Sequence, residues 1–406
     1  MKKIKVGSDF SGVGAFNQAL NRLGIDYNEI FACDMDKYAR KTFIHNYGEP
    51  KYYPTNVYDR AIPKESLDIY MTSPPCQAFS LAGKRLGKDD KRGILFFNSL
   101  EFIQVNKPRY FIFENVKGLL SDNNGNTFSE WVNLLGGKSI NGNPVIFPYE
   151  DSVPYHLYYK VLNAKNHKVP QNRERVFLVG IRDDEDNNFR FPIEEQLTKR
   201  LKDVLEDNVN EKYFLSDKSI EHLIKHKEKH DEKGTGFGVE LKDENSVAST
   251  LRANGALCPT DNHLKINSHI DNCITEAIGR QGSSKEYIDS LKKVNEALKE
   301  KRQQGVIIGG KWNDFKNEFG EKKGFEPISD ECSPTLLARA RNDGSGMEAV
   351  SDGFKIRRLT PRECFRLMDF PDTFDFSVVS DTQAYKQAGN SIVVNVLYKI
   401  IKNLKL

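Results

Sequence analysis

Cys76 follows two prolines, in Ser73-Pro74-Pro75-Cys76. Each proline fixes its own φ and restricts the residue before it. A thiol behind so stiff a lead-in reads as a nucleophile rather than a small core residue, provided its surroundings lower its pKa from about 8.5. Glu114, in Phe113-Glu114-Asn115-Val116, ends a run of Tyr, Phe and Ile. A carboxyl there needs partners or a proton. Arg173 and Arg175, in Gln171-Asn172-Arg173-Glu174-Arg175, point to one side of an extended segment. One can pair with Glu114 while the other addresses a substrate oxygen or a phosphate. Gly12 and Gly14, in "SDFSGVGAF" (8–16), let backbone approach a ligand closely. Asp34 stands about 20 residues beyond them, where a carboxylate grips ribose hydroxyls. The loop and the acid together favour an adenosine-containing cofactor. After the cysteine comes "SLAGKRLGKDDKRG" (80–93), which carries Lys84, Arg85, Lys88, Lys91 and Arg92. It reads as a basic lid over a phosphate backbone, with a plainly solvated loop as the alternative.

The elements that must position these groups are strands. "IKVGS" (4–8), "EIFACD" (29–34), "LDIYMTS" (67–73), "RYFIFEN" (109–115), "LYYKVLN" (157–163) and "RVFLVGI" (175–181) are short apolar runs. Helical patterns, such as 14–24 and 93–105, lie between several of them. Near-continuous apolar strands alternating with helices predict an α/β fold with a doubly wound, mostly parallel sheet. The chemistry then falls at the carboxyl ends of the strands, where ligands bind such sheets.

After residue 182 the texture turns polar, and strand signals become scarce. The segment 286–305 keeps helical spacing at Ile288, Leu291, Val294 and Leu298. "SVASTLRANG" (246–255) and "CSPTLLARARNDG" (332–344) look alike, but one short likeness does not establish a repeat. Thr360-Pro361 followed by Glu363 predicts a helix start. Residues 383–404 predict one amphipathic helix that docks on the first half.

Hydrophobic residues make up 38% of the 406 and charged residues 29%, with a net charge of +3. This is the composition of a soluble globular protein. No apolar run approaches bilayer-spanning length, and the start carries no secretory signal. The six cysteines, Cys33, Cys76, Cys258, Cys273, Cys332 and Cys364, form no CxxC pair and no zinc spacing. They predict a reducing compartment and no metal.

Taken in order, "DFSGVG", "CDMDKYA", "SPPCQAFS", "ENVKG", "QNRERVF", "RRLTPREC" and "QAYKQAGNSI" resemble the motif series of the DNA (cytosine-5)-methyltransferases. The resemblance covers about residues 4–182 and 354–402, and as a set it is highly specific. It implies a Rossmann-like S-adenosylmethionine-dependent methyltransferase domain over 1–185. It also implies a smaller, more irregular target-recognition domain over 186–375, with 376–406 returning to the first. By the same resemblance Cys76 attacks cytosine C6, and Glu114 bonds N3 and the exocyclic amine. Arg175 reads O2, and Arg173 helps hold Glu114. Phe10, Ser11, Gly12, Gly14 and Pro75 belong to the S-adenosylmethionine pocket. Asp34 takes the ribose, Met35 the adenine face and Asn56 the adenine edge, and Leu95, Asn390 and Ser391 complete it. Gln77, Ser80, Lys84, Arg85 and Thr335, the last in "SPTL" (333–336), fall to DNA.

The sequence departs from the family pattern in places. Ser8 stands where an Asp is frequent, with Asp9 beside it. Asn56 replaces a common Asp, Ala15 a frequent glycine and Met35 a common Trp. The implied enzyme is a DNA (cytosine-5-)-methyltransferase acting on double-stranded DNA as a monomer. It would be cytoplasmic and nucleoid-associated in a prokaryote or phage, the modification partner of a separate restriction endonuclease. A tRNA cytosine-5 methyltransferase and a non-catalytic DNA-binding relative are the alternatives. A nicotinamide dehydrogenase would share the loop and acid but would not need Pro-Cys, Glu-Asn-Val and paired arginines.

Overall fold

The computed structural model describes residues 3–75, 94–185, 188–215, 219, 241–253, 262–267, 310–312, 325–327 and 354–406. The chain divides into two compact units. One takes in Met1–Asn210, Leu223–Asn262 and Leu359–Leu406; the other takes in Glu211–His222 and His263–Arg358.

In the first unit the six predicted strands form at Ile4–Asp9 (β1), Tyr27–Cys33 (β2), Ile69–Thr72 (β3), Tyr110–Val116 (β4), Tyr155–Asn163 (β7) and Glu174–Arg182 (β9). Short strands Ser139–Ile140 (β5), Asn143–Pro144 (β6) and Gln171–Asn172 (β8) complete the count up to residue 182. The large sheet runs β2-β1-β3-β4-β9-β7-β5-β6. Neighbours are parallel except β9, antiparallel to both β4 and β7, and β6, antiparallel to β5. The doubly wound, mostly parallel sheet expected from the apolar runs is present. β3 and most of β4 are buried, as strands covered on both faces must be. Because β2 and β3 lie on opposite sides of β1, the chain reverses direction there. That opens a crevice at the carboxyl ends of β1 and β3.

The helices between strands are Ala15–Leu23 (α1), Lys37–Tyr47 (α2), Ile94–Asn106 (α3) and Asn126–Leu135 (α4). Gly14 and Gly24, at φ 85 and 66, bound α1 in left-handed conformations. An aromatic core fills the space around β3 and β4. Tyr70 stacks on Phe102 at 4.2 Å and Phe96 on Trp131 at 4.0 Å.

The predicted start at Thr360 is real. Thr360 N–H donates to Glu363 Oε2 at 2.8 Å and Glu363 N–H donates to Thr360 Oγ1 at 3.2 Å, which caps Pro361–Leu367 (α5). Of residues 186–375, assigned by sequence to the second domain, 186–210, 223–262 and 359–375 fall in the first unit. α5 is held there by Gln171 Nε2, which donates to Leu367 O at 2.9 Å, and by Phe365, which stacks on Phe376 at 4.9 Å. The single C-terminal helix expected from periodicity is two, Asp381–Asn390 (α6) and Val394–Lys402 (α7). Ser391, extended at φ −73 and ψ 162, separates them. α7 buries Val394, Leu397, Ile400 and Ile401 on one stripe and packs on α1.

The second unit contains an antiparallel pair, His263–Asn267 with Phe354–Arg358, and a second pair, Gly310–Trp312 with Phe325–Pro327. The helix expected over 286–305 lies outside the described residues. Among those that are described, no helix is long and apolar enough to cross a membrane.

Candidate active site

β1 delivers the first loop at its carboxyl end. Phe10 takes φ 56, strained for a non-glycine residue, followed by Gly12 at φ 55 and Gly14 at φ 85. Gly14 must be glycine, since a Cβ there would sit 2.3 Å from the Tyr47 ring. At Gly12 a Cβ would meet nothing within 4 Å, so this side of the loop is open. Ser11 N–H donates to Cys33 O at 3.0 Å, and its hydroxyl lies 3.2 Å from that of Tyr53.

Asp34, just past β2, pins the loop. Its Oδ2 accepts from Gly12 N–H at 2.8 Å and its Oδ1 from Asp36 N–H at 2.8 Å. Burial pushes its carboxyl above the usual carboxylate range, and the two backbone donors oppose that. Each oxygen keeps a further lone pair for a hydroxyl donor. Met35 follows with 86% of its surface exposed, free to lie under a flat ring. Asn56 Oδ1 accepts from Tyr58 N–H at 3.0 Å, and Leu95 is half-buried against the aromatic core. α6 is tied to this corner by Lys386, whose Nζ donates to Asp36 at 2.7 Å, and by Thr42 Oγ1, which donates to Gln387 Oε1 at 3.0 Å. Asn390, at the end of α6, is exposed, and Ser391 is buried. An open glycine turn, a pinned carboxylate and an exposed thioether form a donor set that fits an adenosine moiety.

The second half of the site lies at the ends of β3 and β4. Cys76, Gln77, Ser80, Lys84, Arg85 and Thr335 fall outside the described residues. The lead-in to the thiol is described up to Pro75. Pro74 is buried and Pro75 exposed, and Asn115 Nδ2 donates to Pro74 O at 3.0 Å. Glu114, one residue before Asn115, therefore lies on the strand whose end is tied to Pro74. It is 8% exposed. Burial pushes its carboxyl pKa up, while Arg175 first and Arg173 second hold it down.

Arg175 is on β9 and Arg173 lies between β8 and β9, yet the two are brought together. Both line one cavity with Phe177, Leu162 and Val393. Their hydrogen bonds differ from those expected. Arg175 Nε lies 3.0 Å from Glu114 Oε1. Arg173, 3% exposed, instead grips backbone. Its Nη1 donates to Leu251 O at 3.0 Å, and its Nη2 to Gly389 O at 3.0 Å and Ser391 O at 2.9 Å. So Arg175 is the direct partner of Glu114, and Arg173 acts on it only through charge.

One feature was missed by sequence reasoning. Ala248–Ser249 pairs in parallel with β8, and Thr250 Oγ1 donates to Asn172 O at 2.7 Å. The stretch Ser249-Thr250-Leu251 thus docks on Gln171-Asn172-Arg173. The likeness between 246–255 and 332–344 was the available signal, because it marks a Thr-Leu pair in each.

The mostly parallel sheet with its reversal at β1, the glycine turn and the pinned carboxylate define a Rossmann-like α/β fold. Solved structures share this fold. Dnmt2 from S. pombe superposes with a TM-score of 0.59 at 16% identity over 98% of this chain and 97% of that one. The sequence is more specific. The C-5 cytosine-specific DNA methylase family matches residues 4–406. The orphan methyltransferase M.SPRI of Bacillus phage SPR is 31% identical over 100% of this chain and 98% of its own length. The type II methyltransferase M.HpaII of Haemophilus parainfluenzae is 31% identical over 95% of this chain and 84% of its own. The chain belongs to the C-5 cytosine-specific DNA methylases, whose enzyme class is DNA (cytosine-5-)-methyltransferase.

Proposed function

We propose that the protein transfers a methyl group from S-adenosylmethionine to C5 of a cytosine flipped out of a specific double-stranded DNA sequence. The observation that carries this reading is the juxtaposition of Glu114, buried against Arg175, with the Pro74 carbonyl held by Asn115. A buried carboxyl at the end of β4 and the Pro74-Pro75 lead-in to Cys76 past the end of β3 belong to neighbouring strands.

S-adenosylmethionine, when bound, supplies an electrophilic methyl group on a sulfonium. Phe10 to Gly14, Asp34, Met35 and Asn56 hold and orient its adenosine half, and Leu95, Asn390 and Ser391 complete the walls. Cytosine C5 is too weakly nucleophilic to take a methyl group unaided. The Cys76 thiolate adds to C6, forming a sulfur–carbon bond and moving an electron pair towards N3 and C5. Glu114, whose burial favours the protonated form, donates a hydrogen bond at N3 where negative charge builds. C5 would then attack the methyl carbon with that electron pair, forming a carbon–carbon bond while the sulfur–methyl pair stays on the departing thioether. Loss of the C5 proton to a base returns the C–H electron pair to the ring and expels the thiolate. The addition splits one hard step into easier ones. C5 and C6 cannot be reached inside a stacked duplex, which is why the base must leave the helix. Arg175, the partner of Glu114, reads the O2 edge. The second unit, with Thr335, is the target-recognition part, while Gln77, Ser80, Lys84 and Arg85 face DNA. The protein acts as a monomer in the cytoplasm and, as a modification enzyme, protects DNA from a separate endonuclease.

An oligonucleotide containing 5-fluorocytosine tests the chemistry. Fluorine cannot leave as a cation, so the Cys76 adduct should persist as a denaturant-stable complex that requires S-adenosylmethionine and disappears in Cys76→Ser. Absence of a complex with the wild-type protein overturns the adduct. Bisulfite sequencing of plasmid from expressing cells should show one methylated motif. Methylation confined to tRNA would redirect the substrate.

A further inference from the structure

Asp9 is buried at the very end of β1, where a charge is costly. Its carboxylate meets Arg60, whose Nε lies 3.0 Å from Oδ1, with side-chain exposures of 0% and 2%. Tyr70 donates its hydroxyl to Oδ2 at 2.6 Å. Arg60 Nη2 donates to Asn98 O at 3.3 Å, and its guanidinium lies over the Phe102 ring at 4.6 Å. An apolar replacement of a buried ion pair is often as stable or more so, which makes stability a weak reason for keeping one.

Position supplies a better reason. Asp9 immediately precedes Phe10, the left-handed residue that opens the glycine turn. Arg60 lies four residues past Asn56, in the loop assigned to the adenine edge. Tyr70 is on β3, which runs on to Pro74. Asn98 is on α3, the helix that carries Leu95. Four segments assigned to one pocket thus converge on a single carboxylate–guanidinium contact. We propose that Asp9, Arg60 and Tyr70 form a positioning unit that sets the shape of the S-adenosylmethionine pocket by fixing the glycine turn, the Asn56 loop, β3 and α3 against one another. This rests on the cofactor reading above. The three touch no substrate and are positioning residues, acting through Phe10, Asn56 and Leu95.

The test is calorimetric binding of S-adenosylmethionine to Arg60→Met, Arg60→Lys, Asp9→Asn and the Asp9→Leu/Arg60→Met double variant, with melting followed by circular dichroism. The single removals should weaken binding by roughly tenfold or more, and Arg60→Lys, which keeps charge but loses the fork, by about threefold. The double variant removes both charges and should melt close to wild type, yet bind at least about fivefold more weakly. In turnover, KM for the cofactor should rise while KM for DNA stays put. Folded variants that bind within about twofold of wild type overturn the proposal and leave the pair as packing alone. The same follows if no variant folds. A wild-type protein that binds no S-adenosylmethionine instead overturns the cofactor reading, and this proposal with it.

Discussion

Glu29 on β2 is a carboxyl that burial pushes up to about 7, against a hydrogen bond from Asn17 Nδ2 at 3.0 Å. The folded chain holds this proton more tightly than the unfolded chain, whose carboxyls titrate near 4.3. Stability is therefore lost as pH rises from that value through about 7. Glu29→Gln, which mimics the protonated acid, should gain about 2 kcal/mol on wild type between pH 5 and pH 8, read from urea midpoints at each pH. His167 has the opposite sign. It is buried, and burial first and the nearby Lys399 second push it down to about 4. Its contribution is present above the free histidine range and lost as pH falls through about 4. His167→Gln should flatten the acid limb of the same urea series. At the site, Glu114→Gln keeps shape but loses the acid. It should lower kcat by about 100-fold or more with cofactor affinity unchanged, a split that single-turnover kinetics will show.

At the scale of elements, the turn between α6 and α7 is built from far away. Arg173 holds the carbonyls of Gly389 and Ser391 and, with its other nitrogen, that of Leu251. A Cβ on Gly389 would lie 2.3 Å from Arg252 O, so the segment 249–253 packs directly on that turn. Gly389→Ala must push the two apart and should cost about 1–3 kcal/mol in chemical denaturation. Arg173→Ala, which strands three buried carbonyls, should cost about 3 kcal/mol or more in the same assay. These contacts explain what could be read in advance. The periodicity of 383–404 is real on both sides of Ser391, and Gly389-Asn390-Ser391 was the local signal for a stop, but what holds the break is not local. It comes from an arginine 218 residues away. Likewise Gln-Asn-Arg-Glu-Arg placed both arginines on one face, while which of them reaches Glu114 depends on the carbonyls that α6 and residue 251 offer.

For the whole molecule, the legible part is the part buried on both faces. Ile69–Thr72 and Tyr110–Val116 are apolar runs because helices cover them, and Pro74-Pro75 and Glu114-Asn115 stand at their carboxyl ends. The Asp9–Arg60 pair was illegible, because a buried ion pair joins two surface-like residues whose meeting is decided by the fold. The returning segment closes this sheet domain over long separations. Thr42 meets Gln387, Asp36 meets Lys386 and Tyr110 Oη donates to Lys405 O at 2.8 Å. Ending the chain before residue 381 should abolish cofactor binding and leave an expanded species, visible by size exclusion and calorimetry.

That closure also sets a clock during synthesis. The glycine turn and α2 emerge from the ribosome early, whereas Lys386 and Gln387, 350 and 345 residues beyond their partners Asp36 and Thr42, emerge late. At about 5–20 residues per second, the catalytic half waits many seconds for its last buttress. Contacts so distant along the chain also form slowly once available. A nascent polypeptide should thus gain affinity for the cofactor only when it is nearly whole.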